Sequence, residues 1–302
     1  MTLATVLRLV AVMVLWAACF PLIAIGLDLA PHLAFAALRA ALAGLCLLLI
    51  GICLRRPMPR GLDSWSWLTV VAVGATSLGF LGMFHAAEFI SPGLATVIAN
   101  AQPILAAFLA HALLGERLTA TGKLGLLTGL AGITAIAWPA ISSGGMPDYS
   151  LGIAYVGLAA FGVAAGNIAI KRLAHRVDAI MAMGVQLLLG AVPLALLSAW
   201  TEDLSSLAWS TEFAVVLGAL SIFGTALAFW LWFASLQRVA LSHANAFTFL
   251  VPIFGLTIGA VAFGERLGWL QTAGAALVLA GIALVHRKPE AATRDRPERQ
   301  NG

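Results

Sequence analysis

The chain has 302 residues, of which 61% are hydrophobic and only 10% charged. A soluble domain carries roughly a quarter charged residues, because its surface has to be wetted. So thin a polar supply excludes a water-soluble globular protein. The formal net charge of +4 points to no nucleic-acid partner, since the Lys and Arg residues sit between apolar runs, where they report orientation.

Backbone in lipid must close its hydrogen bonds within a helix or a closed barrel. The apolar runs here are long and continuous, without the alternation of barrel strands, so helices are expected. In chain order they predict transmembrane helices over about 5–27, 31–54, 65–87, 92–113, 119–140, 151–171, 178–199, 210–235, 240–263 and 268–286. Each is near the roughly 20 residues that cross a bilayer. The first reads as an uncleaved helix, because it is too long for a signal-peptide core and a second apolar run follows at once. Cys19, Cys46 and Cys53 lie inside apolar runs with neither pairing nor metal-ligand spacing. Residues 287–302 are polar without periodicity and are expected to form a disordered cytoplasmic tail.

If the N-terminus is cytoplasmic, 15 of the 17 Lys and Arg residues fall on the cytoplasmic side, leaving Arg266 outside and Arg39 within the second helix. The expected topology is therefore ten helices with N and C termini cytoplasmic, in a plasma membrane of the bacterial inner-membrane kind. An internal repeat supports the count. Displacing the sequence by 149 residues sets Pro103-Ile104 on Pro252-Ile253, Gly115-Glu116-Arg117-Leu118 on Gly264-Glu265-Arg266-Leu267, and Leu130-Ala131-Gly132-Ile133 on Leu279-Ala280-Gly281-Ile282. Each half holds five helices, an odd number, so the second half enters the membrane from the opposite side and the repeat is inverted. The expected fold is an all-α integral membrane protein, with five-helix repeats over 5–140 and 151–286.

Five-helix halves, each with a proline in the fourth helix and Gly-Glu-Arg-Leu before the fifth, resemble the paired EamA domains of the drug/metabolite transporter superfamily. Trp16 with Pro21 in the first helix, Arg39 in the second and Gln186 at the corresponding place in the second half add to the likeness. In length and pattern the chain is most similar to the YddG-type amino-acid exporters. The resemblance implies a central cavity between the halves, lined mainly by the first, third and fourth helices of each repeat, with the fifth helices peripheral.

Helical spacing puts Thr96, Asn100, Pro103 and Ala107 on one face of the fourth helix, and Asn245, Phe249, Pro252 and Leu256 on its partner. A proline at mid-membrane frees a carbonyl and bends its helix, so Pro21, Pro103 and Pro252 are candidate hinges. Asn100, Asn167 and Asn245 are amides inside spans, which need a solute or another helix to bond. Gln102 points away from the Asn100 face, which predicts packing. Phe80 and Phe84 correspond to Phe229 and Phe233, and with Trp16 and Phe20 they are candidate walls of an apolar cavity. Arg39 is the basic residue placed deep in a span; it could attract a carboxylate, but a structural or gating pair with Glu88 or an outer-loop acid is the favoured expectation. His85 and His243, near span ends, are candidate gating groups. Glu116-Arg117 and Glu265-Arg266 are expected to pair and to cap the fifth helices.

No phosphate-binding loop, metal-ligand cluster or protease constellation occurs in the sequence, so no cofactor, metal or catalytic residue is expected and an enzyme is disfavoured. The favoured function is export of small organic metabolites, most of all neutral, aromatic or amphipathic amino acids, by alternating access. The partners are a small-molecule substrate and the lipid bilayer, with the chain a monomer or weak homodimer. Export of drugs or other metabolites is the nearest alternative, and a channel or sensor is the alternative of another class.

Overall fold

The computed structural model describes residues 1–86, 89, 98–142, 149–263 and 268–287. Secondary structure among these is entirely helical. We number the main segments α1 (Leu3–Leu27), α2 (His32–Cys53), α3 (Leu62–His85), α4 (Gln102–Leu114), α5 (Ala120–Ser142), α6 (Tyr149–Leu173), α7 (Ala179–Thr201), α8 (Thr211–Leu236), α9 (Leu241–Val261) and α10 (Trp269–His286). Nine of them are long and apolar enough to cross a bilayer, and α4 is a shorter apolar helix. The predicted span 92–113 is described only from Ile98 onward, and the predicted tail from 288 lies outside the described residues, as do Thr96, Glu88 and Gly264–Leu267.

Local chemistry sets the helix ends. Thr2, Asp178 and Ser210 accept first-turn N–H groups of α1, α7 and α8 through their side chains. Gly115, at φ +70, closes α4 in the left-handed conformation that glycine takes without strain. The long third and eighth helices share an irregularity. Each contains a π-helical stretch, Ala72–Leu78 and Leu220–Leu227, in matching repeat positions. Ser77 Oγ donates to the Ala72 carbonyl and Thr225 Oγ1 to the Leu220 carbonyl, five residues back in each case, which holds the widened turn.

The helices associate by pairs. α5 packs on α10 and α2 on α7; α3 and α4 pack on α6, while α1 packs on α8 and α9. Small residues set these contacts, as expected where lipid supplies no hydrophobic drive between helices. A Cβ built on Gly125 would lie 2.6 Å from the Gly281 carbonyl, and one on Gly132 would lie 2.6 Å from that of Gly274. The pairing Gly125–Gly281 with Gly132–Gly274 runs α5 and α10 antiparallel. Gly274 and Gly281 of the tenth helix thus meet α5 within the same chain. Met1 and His286 line one surface pocket, so the described chain begins and ends on the same side of the bundle.

Replacing Gly132 with Ala should lower the thermal unfolding midpoint in detergent, with a cost of about 1–3 kcal/mol for overpacking. Gly157→Ala, where a Cβ meets nothing within 4 Å, should be neutral or gain up to ~1 kcal/mol from helix propensity. Equal midpoints for the two variants would contradict the close α5–α10 contact.

Candidate functional site

Between the halves the structure places hydrogen-bonded side chains, each donated by one half and accepted by the other. Arg39 on α2 is buried, 5% exposed, and its Nε donates to Thr225 Oγ1 on α8 at 2.7 Å. Its Nη2 reaches the Gly224 carbonyl at 3.4 Å and Cys19 Sγ at 3.5 Å. Its guanidinium carbon lies 5.1 Å from the centre of the Phe80 ring on α3. The same arrangement recurs with the halves exchanged: Thr76 on α3 donates to Gln186 Oε1 on α7 at 2.8 Å. Both threonines sit in the π-helical stretches.

These two bridges lie toward opposite sides of the bundle. Glu202, at the end of α7, accepts the Leu33 and Ala34 N–H groups at the start of α2, both at 2.8 Å, so the two helices run antiparallel. Arg39 and Gln186 each lie seven residues from the start of their helices. At about 1.5 Å of rise per residue, each is roughly 10 Å inside an opposite end.

Between α4, α6, α8 and α9 runs a chain of amides. Trp232 Nε1 donates to Asn167 Oδ1 at 2.8 Å. Asn245 Oδ1 accepts from Asn167 Nδ2 at 3.3 Å and from Gln102 Nε2 at 2.9 Å. Asn245 Nδ2 closes the chain on the Leu241 carbonyl at 3.0 Å. Gln102 is therefore a member of the cluster, and its bond packs α4 on α9, in line with the packing role expected of it. The described helix α4 starts at Gln102, after a turn at Asn100–Ala101. Asn100 is half-buried beside this turn.

Aromatic rings border the polar centre. Trp16 meets Phe229 and Trp232 with centroids 6.3 and 5.4 Å apart, and Phe80 meets Phe84 at 6.1 Å. Phe233 is fully buried in the same large core. Two of the expected cavity residues lie elsewhere. Phe20 is 50% exposed, and Phe249 packs against Gly129 in a separate cluster of α5, α9 and α10. Pro103 stands in the first turn of α4, just after the Asn100–Ala101 turn, and Pro252 follows the 3-10 turn Phe247–Phe249 in α9. Pro21 lies inside α1. Both fourth-helix prolines thus adjoin a break in α-helical bonding, where the missing N–H costs least.

Charged groups close the two ends. Glu116 accepts the Leu241 and Ser242 N–H groups at 2.9 and 3.2 Å and the Ser242 hydroxyl at 2.7 Å. It caps α9 of the other half, where sequence reading expected it to cap the fifth helix. The capping residue is distant in sequence, so no local motif marks it. Arg172 Nη2 donates to the Leu113 carbonyl at the end of α4, and Lys171 Nζ to the Leu236 carbonyl at the end of α8, cations at the negative ends of helix dipoles. At the opposite end, His32 joins Glu202 (3.2 Å) to His85, whose Nδ1 shares a 3.0 Å hydrogen bond with His32 Nε2. His85 also packs edge-on to Tyr155. Nearby, the Ser205 hydroxyl and N–H hold the exposed Asp203 carboxyl below the usual carboxylate range. His243 meets His286 ring to ring at 5.1 Å. Among the described residues no group of three or more His, Cys, Asp or Glu side chains is placed to hold a metal.

An all-helical bundle whose polar and aromatic groups are gathered between two sets of apolar helices defines a polytopic membrane protein of the solute-carrier class. The chain belongs to the EamA-like transporter family, whose model matches residues 3–138 and again 150–287. A WAT1-related chloroplastic protein of Arabidopsis thaliana is 34% identical over 262 residues, covering 83% of this chain and 62% of the plant protein, so the match spans less than two thirds of that relative. A Salmonella typhimurium protein described as a probable amino-acid metabolite efflux pump is 29% identical over 283 residues, covering 90% of this chain and 91% of its own. One crystal structure shares the fold with a TM-score of 0.82 at 22% identity, covering 93% of this chain and 98% of the other. This chain is a multi-pass transporter of the plasma membrane, in contact with lipid and with a small-molecule solute.

Two substitutions test the site's internal bonding. Asn245→Leu strands the donors of Gln102 and Asn167 and should cost about 1–2 kcal/mol in unfolding free energy. Glu116→Ala removes the cap of α9 and should cost a similar ~1–2 kcal/mol. Unfolding in a detergent series measures both, and wild-type stability in either variant would contradict the bonding described.

Proposed function

We propose that this protein exports small organic metabolites, with amino acids as the substrate class, by alternating access between two inverted five-helix repeats, 5–140 and 151–286. In this reading the N and C termini are cytoplasmic. The observation that carries it is the exchange of partners across the halves: Arg39 with Thr225, Gln186 with Thr76. A twofold relation makes residue i of one half meet residue j of the other, and j meet i. Gly125–Gly281 and Gly132–Gly274 obey the same exchange. An axis that relates antiparallel partners lies in the membrane plane, which is the geometry of an inverted repeat.

The mechanism follows from where the bridges sit. With one bridge displaced toward each side, opening toward one side breaks one bridge and spares the other. The breaks beside Pro103 and Pro252 give the two fourth helices points at which to bend. The aromatic and amide groups beside the bridges would then meet the solute, the rings by shape and the amides by hydrogen bonds. The description of the Salmonella relative as an amino-acid metabolite efflux pump supports amino acids as cargo.

Proteoliposomes loaded with a panel of labelled amino acids should lose label faster than empty-vesicle leakage allows, and retention of the whole panel would sink the proposal. Pro103→Ala and Pro252→Ala should each slow turnover by about tenfold, equivalent to ~1.4 kcal/mol on the barrier, with membrane abundance close to wild type. A parallel fall of turnover and abundance would assign both prolines to packing alone.

A further inference from the structure

Arg39 puts a full positive charge where no acidic group among the described residues meets it. A guanidinium keeps its proton in proteins, so the charge cannot be shed on burial. Its neighbours are a hydroxyl (Thr225), a carbonyl (Gly224), a thiol (Cys19) and an aromatic face (Phe80), all neutral. The two N–H groups on Nη1 donate to nothing among the described residues. Ser221 Oγ is enclosed and has no hydrogen-bond partner among the described residues. Ser221 lies one turn before Thr225 in the same π-helical stretch, so a second unused donor sits on the element that holds Arg39. The other half has Gln186 at the matching place, which satisfies itself on Thr76 and needs no counter-ion. The pair of halves therefore offers one anion site and not two.

Neutral dipoles hold a buried guanidinium more weakly than a carboxylate does, because the latter adds charge and accepts two parallel N–H bonds. We propose that Arg39 is the recognition residue for a solute's carboxylate, which takes the free Nη1 edge and displaces the long Gly224 and Cys19 contacts. This rests on the transport reading above and narrows its cargo to monocarboxylates with an apolar or aromatic body. The body fits because Phe80 already lies against the guanidinium, with Phe84 against Phe80. Amines, amides and sugars lack the group that Arg39 selects.

The test uses the purified full chain and two probes of equal shape, 3-phenylpropionate and 3-phenylpropanamide, at the same ionic strength. The acid should raise the thermal unfolding midpoint and the amide should leave it unchanged. Arg39→Gln, which copies the residue of the other half, should abolish the acid's shift, and Arg39→Lys should keep a reduced one. In proteoliposomes the acid should move at least about tenfold faster than the amide. Equal shifts by both probes in the wild type, or an acid shift that persists in Arg39→Gln, overturns the proposal. Should Arg39→Gln fail to fold, the wild-type pair and Arg39→Lys decide alone: equal responses to acid and amide in the wild type, or an undiminished acid shift in Arg39→Lys, overturn it. The two readings separate cleanly. Flux that ignores the acid–amide difference removes Arg39 as the selector and leaves transport standing, whereas an acid-specific shift without flux of any solute leaves the anion site and removes transport.

Discussion

The hydrogen bond between Arg39 and Thr225 exists because hydrocarbon offers a polar group nothing to bind. A donor inside the bundle is costly unless it finds a partner within the chain, and the arrangement of most of the interior follows from that demand, with Arg39 Nη1 and Ser221 Oγ left over among the described residues. Backbone groups are satisfied along the helices. Side-chain donors reach across between helices, which is why Trp232, Asn167, Asn245 and Gln102 form a connected chain. Helix ends are met by residues far away in sequence: Glu116 for α9, Glu202 for α2, Arg172 for α4. The two halves are thereby tied at both ends as well as in the middle.

This bonding also explains how a bundle with such demands can move. The bridges between α2 and α8 and between α7 and α3 are donated by side chains, and each has a further hydrogen-bonding group close by in a π-helical turn. The Thr225 hydroxyl, which accepts from Arg39, donates to the Leu220 carbonyl of its own helix. Ser77, next to Thr76, bonds both the Ala72 carbonyl and the Gly190 carbonyl of α7. Such bonds can be exchanged one at a time without exposing a helix backbone to lipid. By contrast, the α5–α10 contact is made by glycine backbone against glycine backbone and has no such slack. In the proposed cycle the central helices rearrange while α5 and α10 stay paired.

Much of the architecture was legible in the sequence because membranes constrain patterns strongly. Continuous apolar runs gave the helices, and the repeat set Phe80 on Phe229 and Pro103 on Pro252 before any contact was known. The partners of those residues were not legible. Arg39 was expected to pair with Glu88 or an outer-loop acid; Glu88 lies outside the described residues, and the contacts that Arg39 makes among the described ones, to Thr225, Gly224, Cys19 and Phe80, depend on how α2 leans on α8. Gln102 was expected to serve packing, and it does so through its bond to Asn245 of α9, a partner that spacing within one helix could not name. Phe20 and Phe249 shared the composition of the aromatic wall but not its position, since aromatic residues serve lipid-facing and peripheral packing equally well. The Trp232–Asn167–Asn245–Gln102 chain joins four helices, and no spacing within one helix announces it.

The central claim is that the two sides of the bundle open in alternation. Spin labels on the exposed residues Asp28 and Ser206 report one side, and labels on Leu62 and His175 report the other. Pulsed dipolar spectroscopy in nanodiscs, with and without a transported solute, measures both distances in the same preparation. The account predicts opposite changes, one distance distribution lengthening as the other shortens. Distances that lengthen together, or that both stay fixed while solute is transported, would contradict it.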